Sequence, residues 1–112
     1  MQVTYRTHRN VDVIDLSGRF TFGERKEFMA AIDKLKQKGA PHIVVNFRQV
    51  TFIDSAAIGL LALASQQLKA ENRRFSVSGA QGVVLQVLKL ARVDQMLTMG
   101  ADDDAVLNAR AA

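Results

Sequence analysis

Residues 42–47, HIVVNF, form a short and nearly unbroken apolar run. A half-wet strand alternates apolar with polar side chains, whereas a run of this kind reads as a central strand buried on both faces. The segments on either side of it change period. Upstream, Phe28, Ala31, Ile32 and Leu35 recur at i, i+3, i+4 and i+7, which predicts a helix over 23–38. Lys34, Lys36 and Lys38 crowd its last turns, where cations suit the helix dipole. Gly39 is a C-cap signal and Pro41 follows it. Downstream, a loop over 48–53 leads to Asp54, and a second helix is expected from Ser55 to about Glu71.

The remainder fits the same alternation. VTYRTH (3–8) and VDVIDL (11–16) read as two strands joined by Arg9 and Asn10 into a hairpin, with Gly18 closing it. FSVSG (75–79) alternates as a strand, GVVLQVLKLA (82–91) is a short apolar helix, and MLTM (96–99) is a last short strand. Asp102 to Asp104 open a final helix running to about Arg110. The order β-β-α-β-α-β-α-β-α implies an α/β fold: a mostly parallel sheet with right-handed crossovers, an N-terminal antiparallel hairpin and about four helices. At 112 residues and 48% hydrophobic, the chain fits a single domain over 1–112 with one modest core.

Composition narrows the chemistry. The absence of cysteine removes disulfides, thiol nucleophiles and thiolate metal sites, and suits a reducing cytoplasm. The N-terminus MQVTYRTHRN has no apolar stretch of signal-peptide type, and the run from Ala56 to Ala64 is much too short to span a bilayer. The net charge of +4 comes from scattered cations with acids among them, and there is no Trp and one Tyr. Neither nucleic-acid binding nor membrane insertion is expected.

Catalysis requires a nucleophile beside a base, or paired carboxylates. Ser55 with His42 is the one combination to weigh, and it lacks the G-x-S-x-G elbow that would expose such a serine. Asp102, Asp103 and Asp104 are consecutive, so a helix points them in different directions; they read as N-terminal acids, not metal ligands. Gly79 and Gly82 make neither a dinucleotide fingerprint nor a P-loop. No metal or cofactor is expected.

The stretch TFIDSAAIGLLALA (51–64) is the most apolar part of the chain, yet it carries Asp54 and Ser55 side by side. With Asp54 as N-cap and Ser55 as first helical residue, Ala57, Ile58, Leu61, Ala64 and Leu68 fall on one stripe, assigned to the core. Ser55, Gly59, Ala62, Leu63 and Gln66 fall on another, small and apolar where a solvated helix would carry Lys or Glu. Two structures fit that second stripe: a helix buried on most sides that emerges near Gln66, and a smooth contact surface with a hydroxyl at its edge.

The run Ile53–Asp54–Ser55–Ala56–Ala57–Ile58–Gly59–Leu60 resembles the signature of the STAS domain, as in bacterial anti-sigma factor antagonists. The resemblance extends over VDVIDLSGRF, HIVVNFRQVTFIDS and FSVSGAQGVVLQVLKLARVDQML, nearly the whole chain. It implies a single STAS-like domain with strand order 1-2-3-4-5, and a regulator without catalytic activity. In such proteins the serine after the Asp is phosphorylated by a partner anti-sigma factor that is itself a serine kinase, and a metal-dependent serine phosphatase reverses it. The unphosphorylated form binds the anti-sigma factor and so frees a sigma factor.

Carried over, Ser55 is the phosphoacceptor, Asp54 the acid beside it, and Ile58, Gly59 and Leu60 the helix that meets the partner; Ala56, Ala62 and Leu63 complete the candidate contact surface. Two departures from the family pattern matter. Ala56 and Ala57 stand where many members have Ser and Gly, and Thr21 stands where many have an acid after Gly18, implying a changed partner. The domain also occurs in lipid and anion transport systems. Three functions therefore compete: a phosphorylation-controlled interaction module, a constitutive STAS subunit of a transporter or signalling complex in which Ser55 only starts a helix, and a small serine hydrolase using Ser55 and His42.

Overall fold

Strands and helices alternate along the chain in the computed structural model, which describes residues 1–108. The strands are β1 (Gln2–His8), β2 (Val11–Phe20), β3 (His42–Ile53), β4 (Arg74–Ser78) and β5 (Thr98–Gly100). They form one sheet in the order β1-β2-β3-β4-β5, antiparallel at β1–β2 and parallel at every later pair. The helices are α1 (Arg25–Gln37), α2 (Ser55–Ala70), α3 (Gly82–Leu90) and α4 (Asp103–Asn108).

Local chemistry sets the connections. Arg9 and Asn10 both have positive φ, 53° and 65°, the two left-handed positions that match the twist of a tight hairpin. At the end of α1 the Ala40 N–H donates to the Leu35 carbonyl and the Gly39 N–H to that of Lys36, with Gly39 at φ +86°; this is a Schellman closure.

The core lies mainly on one face of the sheet. There Phe28, Ile32 and Leu35 of α1, Leu61 and Leu68 of α2 and Leu88 of α3 pack with Ile43, Val45 and Phe47 of β3. Val44 points to the other face, where α4 covers it through Val106, with Val13 beside it. The predicted core residues Val44, Phe47, Leu61 and Leu68 are all fully buried. β3 is covered on both faces, as its apolar run requires.

Four segments differ from the sequence reading. Residues 48–53, expected as a loop, continue β3 to Ile53 and pair with β2. Within this half only Val50 and Ile53 are buried, so it lacks the apolar run that marks residues 42–47, and β4 pairs only with residues 42–46. Gly18 does not close the hairpin; it sits inside β2 at φ +87°, beside a shift in register. Residues 22–24 form a 3₁₀ turn before α1, and residues 93–95 another before β5, which starts at Thr98 instead of Met96. α4 begins as expected, while its predicted end near Arg110 lies outside the described residues.

Candidate functional site

The start of α2 is built on one carboxylate. Asp54 is in extended backbone (φ −112°, ψ 179°) between β3 and the helix. Its Oδ1 accepts the Ala57 N–H at 2.8 Å, the N-cap bond that satisfies a free donor of the first turn. Its Oδ2 accepts the Phe22 N–H at 3.1 Å. One side chain thus ties the α2 entrance to the turn after β2. The Ala57 N–H, followed by that of Phe22, holds the Asp54 carboxyl below its ordinary pKa. A carboxylate so committed is a poor proton acceptor, so its work here is positional.

Ser55 follows as the first residue of α2 and is exposed. Its hydroxyl has no hydrogen-bond partner among the described residues. The stripe that follows it is open. Gly59, Leu63 and Gln66 are exposed and Ala62 is half-buried, whereas Ala57, Leu61, Ala64 and Leu68 are buried. Ala56, Ile58 and Leu60 flank the stripe half-buried, and the last two pack against the core. A Cβ built on Gly59 meets nothing within 4 Å, so internal packing does not demand glycine there. Leu63 is 44% exposed. Of the two arrangements that fit the sequence, the stripe is open to solvent from Ser55 onward and does not first emerge near Gln66.

The turn after β2 adds to this end of the molecule. Thr21 donates to Glu24 Oε1 from both its backbone N–H (3.2 Å) and its hydroxyl (3.0 Å), which fixes the turn. Phe22, next along, carries the bond to Asp54, so Thr21 lies beside the α2 entrance. Phe22 is 57% exposed, and its ring lies under the Arg25 guanidinium at 4.0 Å. Sequence reading missed this pair. The available signal was an aromatic before Gly23 that fits neither the strand alternation nor the α1 stripe.

The other candidates separate in space. His42 opens β3, while Ser55 follows its far end, so the two cannot act as nucleophile and base. His42 Nε2 lies 2.8 Å from Ser76 Oγ in a buried pair. Burial, with the nearby Arg74 charge, lowers its pKa to about 4, the behaviour of a neutral structural histidine. The three consecutive acids diverge. Asp102 Oδ1 caps α4 by accepting the Ala105 N–H at 2.8 Å. Asp103 is buried and accepts from Arg6, Asn46 and Ser78. Asp104 meets His8 and Arg9 at the surface. None of them approaches the α2 entrance.

This arrangement of sheet and helix entrance defines a STAS domain, and comparison with known proteins agrees. The family model described as Mlab, STAS domain matches residues 3–98, and the chain belongs to that family. A STAS-domain containing protein of Pseudomonas aeruginosa is 29% identical over 83 residues, covering 74% of this chain and 81% of that one. An anti-sigma factor antagonist from Mycobacterium paratuberculosis has the same fold, with TM-score 0.83 and 22% identity over 95% of this chain and 90% of its own. A sulfate transporter family protein from Wolinella succinogenes superposes with TM-score 0.72 and 16% identity over 85% of this chain and 80% of its own. Among the described residues, no helix is long and apolar enough to cross a membrane.

Proposed function

We propose that this domain is an anti-sigma factor antagonist whose docking surface is the open face of α2, switched by phosphorylation of Ser55. The observation that carries the reading is the placement of Ser55: exposed and unbonded, at the edge of the stripe of Gly59, Ala62 and Leu63. The unphosphorylated face receives an anti-sigma factor with serine kinase activity, and that capture frees a sigma factor.

The switch follows from charge. In the kinase site of the partner, Ser55 Oγ attacks the γ-phosphorus of ATP, ADP leaves, and the hydroxyl proton passes to a base. Asp54 is unsuited to be that base, because both its oxygens already accept N–H bonds; the partner supplies it. The product carries about −1.5 to −2 charges at the helix N-terminus, where the dipole tolerates an anion. A partner that docks by apolar contact must desolvate that charge, which is costly unless it is paired. The complex is lost while the fold is kept, and a serine phosphatase restores the docking form by hydrolysis.

The test is phosphopeptide mass spectrometry of the native protein, expected to find phosphate on Ser55 and none in Ser55→Ala. A second reading has its own support in the transporter-family fold neighbour: a constitutive subunit of a transport assembly, with the same α2 face as its contact. Ser55 found unmodified throughout growth, in a protein that still holds its partner, would select that second reading.

A further inference from the structure

The turn from β4 into α3 is held close to the sheet by glycine. Gly79, directly after β4, has φ +74°, and a Cβ there would lie 3.2 Å from the backbone N of Arg48 and 3.3 Å from its Cβ. Only glycine fits that turn. Its N–H donates to the Gly100 carbonyl at 3.0 Å, so backbone alone joins the carboxyl ends of β4 and β5. α3 stands beside this junction, and Gln81, Leu85 and Lys89, at i, i+4 and i+8, share one of its faces. Between that face and the end of β5 lies a cleft of about 760 Å³, within the range of small-molecule sites. The crevice outside the carboxyl ends of parallel strands is where open α/β sheets hold ligands. The lining is divided. Ala80 is buried and Leu85 and Met99 are half-buried, which makes an apolar floor. Arg48, Lys89 and Asp94 are exposed at the rim, and none of the three has an ion pair among the described residues. Gln81 Nε2 donates to the Arg48 carbonyl at 3.2 Å and so fixes that end of the mouth.

We propose that this cleft is a binding site for a small organic carboxylate with an aliphatic body. Ala80, Leu85 and Met99 cover the chain, and the carboxylate pairs with the guanidinium of Arg48, whose planar fork matches it. Charge selects the ligand. Arg48 and Lys89 against Asp94 leave the lining one positive charge in excess, which a monoanion neutralises. A cationic ligand would meet Arg48 and Lys89 as like charges, and a phosphate dianion would leave the cleft net negative with Asp94 on the same rim. No residue of α2 lines the cleft, so the site is independent of the proposed docking face.

The experiment titrates octanoate, octylamine and 1-octanol, which share one chain, into the intact protein labelled with ¹⁵N. Octanoate should bind saturably and shift the amide signals of Gly79, Gln81, Leu85 and Gly100, while the amine and the alcohol bind about tenfold more weakly or worse. Arg48→Gln should weaken octanoate by about tenfold or more, and Ala101→Trp, which fills the cleft from an exposed position in its lining, should abolish binding; both should melt with the parent. Arg92→Gln removes an exposed cation outside the lining and should change nothing. Equal binding of the three compounds, octanoate affinity unchanged in Arg48→Gln or in Ala101→Trp, shifts confined to other faces, or no saturable binding would overturn the proposal. So would inorganic phosphate that displaces octanoate at equal concentration.

Discussion

α1 and α2 lie side by side on the same face of the sheet, and their inner sides are alike. α1 buries Phe28, Ala31, Ile32 and Leu35, and α2 buries Ala57, Leu61, Ala64, Ser65 and Leu68. Their outer sides differ. α1 shows Lys26, Glu27, Asp33, Lys34 and Gln37 to solvent, the ordinary surface of an amphipathic helix. α2 shows Ser55, Gly59, Leu63 and Gln66, with Ala62 half-covered and no charge before Lys69. Burial explains the inner residues of both helices. It does not account for the outer side of α2, which is small and apolar in the open, and that is the face to which the proposed function assigns docking.

Substitutions can break this comparison, and the largest effect belongs to the inner side. Leu61→Ala removes a side chain that is 0% exposed and should cost about 2 to 5 kcal/mol in denaturant unfolding. A variant as stable as the parent would mean that the faces of α2 are wrongly assigned. Leu63→Lys comes next. It should leave the unfolding midpoint almost unchanged yet weaken the anti-sigma factor by about a hundredfold, because a charge enters an apolar contact. Lys34→Leu on α1 is the control and should leave affinity unchanged. Loss of affinity in the control instead would move the docking surface to α1.

Asp54→Ala should have a smaller effect, on stability, since it leaves the Ala57 and Phe22 N–H groups without their acceptor. A thermal melt should fall by roughly 4 to 8 °C. An unchanged melt would show that water replaces the carboxylate without cost. Ser55→Ala should have the smallest effect: the same melt, the same affinity, and no phosphate after incubation with the kinase.

The sequence made this comparison possible because helical period is a local signal. The α1 stripe, the α2 stripe and the position of Ser55 were all legible from spacings of three and four residues. Whether the second α2 stripe was core or surface was not, because the answer depends on what the sheet and α1 leave uncovered. Two further features escaped for the same reason. The second half of β3 looked like a loop, since its pairing with β2 depends on register and not on its own residues. The bonds from Arg6, Asn46 and Ser78 to Asp103 join three strands to α4, over as many as 97 residues of chain, and no local pattern announces them. The tie from Asp54 to Phe22 is likewise long-range, which is why Phe22 and Arg25 were missed while the place of Ser55 at the start of α2 was legible.

The central claim is that charge on Ser55, and not damage to the fold, ends docking. It is tested most directly by titrating the anti-sigma factor with two forms of this protein, unmodified and carrying phosphoserine at position 55, with melts of both. The account predicts tight binding by the first form and binding weaker by about a hundredfold or more by the second, at melting temperatures that nearly coincide. Equal affinities would contradict the switch. So would a phosphorylated form that binds poorly only because it has unfolded.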